Sequence, residues 1–133
     1  MVVVVVIGLL AAIAIPAFKR VQQRATASRY INDFRQFDSA FQRYAQETGQ
    51  WPPSAGLRVM PAGMQGYLPA AFTSTAPMGG SFHWSGPSAV ILLTSSGETD
   101  AIMQQVDAAL DDGNLATGSF MKIIGLGYGY QLK

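Results

Sequence analysis

Few side chains in this sequence could carry out chemistry. His83 is the only histidine, it lies between Phe82 and Trp84 in a predicted strand, and the chain has no cysteine. The patterns Ser-x-x-Lys, Gly-x-Ser-x-Gly and His-Glu-x-x-His, which would give a nucleophile or a base its partner, do not occur. We therefore interpret His83 as a structural or surface residue and expect no catalytic residues and no enzymatic activity.

One short segment offers oxygen ligands for a cation. Asp111, Asp112 and Asn114 lie in the sequence LDDGN, and Ca²⁺ prefers such carboxylate and amide oxygens. The segment lacks the Asp-x-Asp-x-Asp-Gly spacing of a calcium loop, and Gly113 and Asn114 are typical of a helix end. A helix-ending turn is the favoured interpretation and a calcium site the weaker one, so we expect no metal.

A second segment, GLGYG at residues 125–129, is rich in glycine. A phosphate-binding loop requires a strand before it and a helix after it, and this context is missing here. We therefore expect no nucleotide site and no cofactor.

The element that must position the rest of the chain is an uncharged apolar run over residues 1–18, followed by Lys19, Arg20 and Arg24. As a helix it would rise about 27 Å, close to the roughly 30 Å hydrocarbon core of a bilayer. A cleavable signal would carry its cations before the run, and a buried helix would need more protein around it than this chain has. The run predicts a membrane helix.

The helix is expected to continue over residues 19–48, because proline and glycine are absent until Gly49. Aromatic residues recur there at steps of four and three, which places them on one helical face. They are Tyr30, Phe34, Phe37, Phe41 and Tyr44. We interpret this stripe as the core between the helix and the rest of the domain, in preference to a ligand groove.

The remaining residues, 49–133, predict a small globular head. Residues 49–80 are rich in proline and glycine and indicate a loop with one helical turn near residues 66–68. Two strands are expected at residues 81–85 and 88–96, a short amphipathic helix within residues 98–114, and two more strands around residues 125–127. The expected fold class is α+β, a long stem helix packed on a small antiparallel β-sheet.

The apolar run carries a resemblance to a known family. The stretch MVVVVVIGLLAAIAIPAFKRVQQRA resembles the N-terminal segment of type IV pilins and type II secretion pseudopilins, with Gly8, residues 9–14 and Pro16 in register. The later GQWPP, residues 49–53, is similar to the Gly-x-Tyr-Pro that commonly follows the pseudopilin stem. Members of this family are stored in the inner membrane and assembled by pilus or secretion machinery into surface or periplasmic filaments.

The resemblance implies that this chain is a structural subunit of a helical homo-oligomeric filament. Its stem would pack in the filament core through apolar side chains, namely Val3, Val6, Ile7, Leu9, Leu10, Ile13 and Ile15. The alternatives are a minor pseudopilin of a secretion or DNA-uptake machine and a membrane-anchored extracytoplasmic binding module. Residues 44–121 are acidic overall, so no nucleic acid is expected to bind the isolated head.

The resemblance also implies a segment before Met1. Family members begin with a basic leader and a Phe-Thr-Leu-Ile-Glu stretch, where cleavage and methylation occur, and neither is in this sequence. By the positive-inside rule, Lys19, Arg20 and Arg24 alone would place the head in the cytoplasm, and a basic leader would reverse this. We therefore expect the natural subunit to start upstream of Met1.

Two hypotheses about assembly follow. Gly8 and Pro16 weaken the stem helix, so residues 8–16 are expected to lose helical hydrogen bonds in the fibre. Exposed cations of the stem are expected to meet acids of a neighbouring head and set the register, with solvated charge or contact with anionic lipid as the alternatives. The cations are Lys19, Arg20, Arg24 and Arg29, and the acids include Glu98, Asp100, Asp107, Asp111 and Asp112.

Overall fold

A computed structural model of the chain describes residues 1–94 and 100–133. The elements in chain order are α1 (Val2–Thr48), a 3₁₀ helix (Ala70–Phe72), β1 (Ser81–Ser85), β2 (Val90–Thr94), α2 (Asp100–Leu110), β3 (Phe120–Ile123) and β4 (Gly127–Gln131). The predicted α+β fold, a long stem helix packed on a small antiparallel sheet, is confirmed. Ser95, Ser96 and Glu98, which belong to the predicted second strand, the predicted short helix and the expected charge contacts, lie outside the described residues.

The stem helix α1 is continuous through Gly8 and Pro16 in the single subunit. It ends at Gly49, whose φ of 78° turns the chain in the left-handed region and whose amide donates to Ala45 O at 2.8 Å. Glycine adopts this conformation without a steric cost, which explains the sharp end. The expected break at residues 8–16 concerns the fibre and stays a prediction.

The four strands form one antiparallel sheet in the order β1-β2-β4-β3. In its central rows His83 pairs with Leu92, and Leu92 with Gly129. Strand β2 starts at Val90, two residues later than predicted, because residues 86–89 form the turn and Ala89 has a φ of 50°. The last pair of β3 and β4 is Ile123 with Gly127, so residues 124–126 form their turn.

The core lies between α1 and one face of the sheet. Phe34 meets Phe82 and Phe120 edge to face, with ring centroids 5.6 and 5.3 Å apart. Tyr30, Phe34, Phe37 and Phe41 have no exposed surface, while Tyr44 is half-buried beside Tyr67. The aromatic stripe therefore forms the contact between stem and head, where each edge-to-face pair adds about 0.5 to 1.5 kcal/mol beyond its buried area.

The loop after the stem is fixed to the top of the β1–β2 hairpin. Trp84 Nε1 donates to Pro52 O at 2.9 Å, and the amide of Gly86 donates to Ser54 Oγ at 2.9 Å. A Cβ on Gly86 would lie 2.7 Å from Pro52 O, so only glycine permits this approach. The GQWPP segment thus docks the start of the loop on the sheet.

The expected helical turn at residues 66–68 is wrong in its position. Gly66 has a φ of 86°, which is incompatible with a right-handed helix, and the 3₁₀ helix forms at Ala70–Phe72 instead. The helix buries Phe72 edge to face against Phe37, with ring centroids 5.2 Å apart. The burial of Phe72 thus fixes the position of the 3₁₀ helix, and the proline- and glycine-rich composition of the loop did not reveal this contact.

Candidate functional site

The apolar part of the stem, residues 1–18, is uncovered in the subunit. The window of 18 apolar residues has a mean hydropathy of 2.6 and none of it is buried in the subunit. The seven side chains expected to pack in a filament core, Val3, Val6, Ile7, Leu9, Leu10, Ile13 and Ile15, are all between 48% and 74% exposed. A helix of this length and composition can anchor the chain in a membrane.

Two residues distinguish this stem from a uniform apolar helix. A Cβ on Gly8 would meet nothing within 4 Å, so the position presents bare backbone to whatever covers the stem. Pro16 has no amide hydrogen, and Ala12 O therefore lacks its helical donor. Small residues permit close helix approach in an apolar medium, and the missing hydrogen bond locates the weakest part of α1.

A group of cations follows the apolar run of residues 1–18 along α1. Lys19, Arg20, Arg24 and Arg29 are exposed on successive turns of α1. Within residues 1–94 and 100–133, none of them has an acidic partner within 4 Å. The charges of Lys19, Arg20 and Arg24 are therefore available to headgroups or to another chain. Arg29 also acts on Asp33, because burial raises the pKa of the Asp33 carboxyl and the Arg29 charge opposes this rise.

The acidic residues of the head are placed differently from the expectation. Asp107 has no exposed surface, because it lies with Met103 and Val106 on the inner face of α2. A side chain in this position cannot meet a neighbouring subunit, so its assignment to the inter-subunit charges is wrong. The period of α2 could have revealed this, since Met103, Val106 and Asp107 follow the i, i+3, i+4 pattern of a buried face.

Three carboxylates converge at the end of α2. Asp107, Asp111 and Asp112 each have an oxygen within 4.8 Å of the others. Among the described residues, neither oxygen of Asp107 finds a hydrogen-bond donor in good geometry. Burial raises the pKa of the Asp107 carboxyl, with Asp112 and Asp111 adding to the rise, while the amides of Gly113 and Asp112 oppose it. Three such carboxylates have the chemistry to hold a divalent cation.

The same segment also acts as a turn, in agreement with the interpretation favoured from sequence. Asp111 Oδ2 accepts hydrogen bonds from the amides of Ser119 and Phe120. Asp112 accepts from the Asn114 amide at 2.9 Å and from Thr117 Oγ1 at 2.7 Å, and these bonds lower the pKa of its carboxyl. The oxygens of Asp111 and Asp112 thereby connect the end of α2 to the start of β3.

The side chain of Asn114 also makes a hydrogen bond within this turn. Asn114 Oδ1 accepts a hydrogen bond from the amide of Ala116 at 3.1 Å. The oxygen that was considered as a calcium ligand therefore closes the turn after Gly113.

Asp100 begins α2 and is held by two groups of the sheet. Lys122 Nζ lies 2.8 Å from both carboxylate oxygens, and Tyr128 Oη donates to Oδ1 at 2.6 Å. These hydrogen bonds, Lys122 first, hold the pKa of the Asp100 carboxyl below its usual range. From sequence, Asp100 was among the acids expected to meet the stem cations of a neighbouring subunit, because nothing local indicates that Lys122 and Tyr128 lie across from it.

His83 is half-buried in the middle of β1. Its Nδ1 is buried without a hydrogen bond among the described residues, and burial lowers the pKa of the imidazole. No acidic or nucleophilic side chain of the described residues pairs with it. His83 therefore lies within the sheet, where burial favours the neutral form of its imidazole, with a lowered pKa.

The chain was compared with family models, curated proteins and solved structures, and none of them matches it.

Proposed function

We propose that this chain is a structural subunit of a type IV pilus-like or pseudopilus filament. The observation that carries the proposal is the stem, an 18-residue apolar window with no buried part, which continues without a break into the core of the head. The resemblance of residues 1–18 to pilin and pseudopilin stems supports it as well.

The apolar stem needs a cover of its own length. Burying apolar surface yields about 25 cal/mol per Å², so a stem left in water would drive association or insertion. Lipid covers it before assembly, and the stems of neighbouring copies cover it in the fibre. The same residues serve both environments, and the head folds on residues 27–44 in either case.

Assembly also uses the features at each end of the apolar segment. Gly8 and Pro16 allow residues 8–16 to leave the helix when stems pack in a helical lattice. Lys19, Arg20, Arg24 and Arg29 face neighbouring subunits above the packed stems. Exposed ion pairs contribute only about 0 to 1 kcal/mol each, so they set the register more than they add affinity.

The test is electron microscopy of material sheared from cells that express the chain, with mass spectrometry of the subunit's amino terminus. We expect thin helical fibres whose subunits mass spectrometry identifies as this chain. Membrane-bound monomers without fibres would contradict the proposal and favour an anchored binding module.

A matched pair of variants makes the test specific to the stem. Leu10→Asn and Leu57→Asn each remove one exposed leucine, the first from the stem and the second from the head. We expect the stem variant to lose fibres while it still fractionates with membranes, and the head variant to assemble normally. Equal fibre yields from both variants would contradict stem packing.

A further inference from the structure

The direction of α2 relative to the stem can be read from its two ends. At its start, Ile102 lines a groove together with Lys19 and Gln22, just beyond the apolar stem. Towards its end, Ala109 O accepts a hydrogen bond from Arg35 Nη2 at 3.4 Å. Helix α2 therefore runs in the same direction as α1, and its first turn lies where the stem leaves the apolar segment.

Strand β4 runs in this direction too. Near its start, Tyr128 Oη donates to Asp100 at the beginning of α2. Past its end, Lys133 O accepts from Gln42 Nε2 at 2.9 Å, high on the stem helix. The β3–β4 turn precedes Gly127, so it is at the stem side of the head.

This turn exposes two large apolar side chains. Ile124 is 97% exposed and Leu126 is 53% exposed, although the adjacent Tyr128 is buried. Gly125 has a φ of 82° and the Leu126 amide donates to Ile123 O at 3.1 Å, which fixes the turn in shape. A tight, ordered turn with an isoleucine almost wholly in water indicates a surface that something else covers.

We propose that residues 124–126 are a second membrane contact, in which Ile124 and Leu126 insert between the headgroups of anionic phospholipid. The proposal rests on the membrane stage of the function proposed above, and not on the fibre. A contact of this turn with lipid fixes the tilt of the head on the bilayer, because the stem and the turn then hold the subunit at two separate points.

The position of the turn favours lipid over another chain. The headgroup layer adds about 5 to 8 Å beyond the hydrocarbon core, which corresponds to roughly five residues of α1 after Phe18. Lys19 and Gln22 lie at this level beside the start of α2, and the turn projects from the same end of the head. Lys19 and the next residue in the chain, Arg20, are exposed, and such cations attract anionic lipid.

The natural absence of cysteine permits a direct test. Single variants Ile124→Cys, Gln131→Cys and Ile13→Cys are labelled with an environment-sensitive fluorophore in the full chain. Each is placed in vesicles of phosphatidylglycerol and phosphatidylethanolamine, with and without lipids that carry a quencher at the headgroup. Gln131 is the matched control, because it is an exposed residue at the opposite end of β4.

We expect the label at position 124 to shift to the blue and to be quenched about twofold or more by the headgroup quencher, as interfacial insertion requires. The label at position 131 should be unaffected. Neutral phosphatidylcholine vesicles should weaken the effect at position 124, since the nearby cations lose their attraction.

The label at position 13 separates the two proposals. If acyl-chain quenchers reach position 13 and headgroup quenchers do not reach position 124, the turn contact is refuted while the membrane stem stands. If position 13 is also unquenched, the membrane stage itself fails. A label at position 124 that is shielded only in sheared fibres would show that a neighbouring subunit covers the turn and would overturn the proposal.

Discussion

Phe41 and Trp84 lie ring on ring, with centroids 3.9 Å apart and planes 19° from parallel. This pair joins the last turns of α1 to the edge strand β1, and both side chains are buried. Trp84 is in turn fixed by its hydrogen bond to Pro52 O. The stack therefore connects the stem, the sheet and the loop that follows the stem.

Replacing the stem member of this pair should weaken the whole head. We expect Phe41→Ala to lower the free energy of unfolding by about 3 to 5 kcal/mol, the usual cost of a large cavity in an aromatic core. The measurement is urea unfolding of the full chain in detergent micelles, followed by tryptophan fluorescence. Phe18→Ala is the control, because Phe18 is exposed and its loss leaves the head intact. An equal effect of the two substitutions would show that the stack does not stabilise the head.

The buried carboxyl of Asp107 should make stability depend on pH. Its pKa is raised in the folded state. The unfolded chain therefore releases this proton first as pH rises, and stability falls from the unfolded pKa up to the folded pKa. We expect Asp107→Asn to unfold at a higher temperature than the native chain at pH 7.5 and to lose this advantage at pH 3.5.

Asp112 provides a control of opposite sign. Its pKa is lowered in the folded state, so its contribution is present above the unfolded pKa and is lost as pH falls through the folded pKa. We expect Asp112→Asn to unfold at a lower temperature than the native chain at pH 7.5. A scan in which both variants shift in the same direction would refute this account of the acidic cluster.

Gly118 is needed for the connection between α2 and β3. A Cβ on this residue would lie 1.8 Å from Asp111 Oδ2, and its φ is 88°. Gly66 has nearly the same φ, 86°, with nothing within 4 Å of the added Cβ. We expect Gly66→Ala to cost about 1 to 2 kcal/mol from backbone strain alone, and Gly118→Ala to cost roughly 1 to 3 kcal/mol more from the clash. Thermal unfolding of the two variants separates strain from clash, and equal costs would exclude the clash.

Pro16 should matter for the fibre more than for the subunit. Pro16→Ala restores the hydrogen bond to Ala12 O and removes a cost of about 3 kcal/mol from the helix interior. We expect the variant to keep its stem helical and to lose fibre yield, as counted by electron microscopy. Ala14→Leu is the control, since it alters an apolar neighbour and leaves the hydrogen bonds unchanged. A fibre map with continuous helix from Val3 to Thr48 would refute the unwinding of residues 8–16.

The inter-subunit charges are best tested from the basic side. Asp111 and Asp112 are already used in the turn, so reversing them would report on folding and not on assembly. Arg20→Glu and Arg24→Glu replace exposed side chains that make no ion pair among the described residues. We expect the double variant to assemble less at low salt and the difference to disappear at high salt. Salt-independent assembly of both chains would exclude a role for these cations.

The stem and the aromatic stripe were readable from sequence because both follow the helical period over many residues. The 18-residue apolar run and the spacing of Tyr30, Phe34, Phe37 and Phe41 are long, repeated signals. The surroundings of Asp100 were not readable, because a carboxylate in isolation indicates solvent. They depend on residues far away in the chain, namely Lys122 and Tyr128.

The sheet was predicted only in outline. Alternating residues in β1 and a glycine-centred turn before β4 indicated strands. The order β1-β2-β4-β3 arises because β4 pairs with β2, although α2 and β3 lie between these two strands in the chain. The docking of Pro52 O on Trp84 likewise joins two segments 32 residues apart. Local patterns contain no information on such contacts.

The continuity of α1 has a mechanical consequence. Tension along a fibre built on the stems would travel through the backbone of α1, since residues 1–18 are exposed and contribute nothing to the core of their own head. The strands β1 to β4 would carry no load. The load would act first on residues 8–16, which the proposed fibre holds outside the helix and where Ala12 O has no helical donor, before any head unfolds.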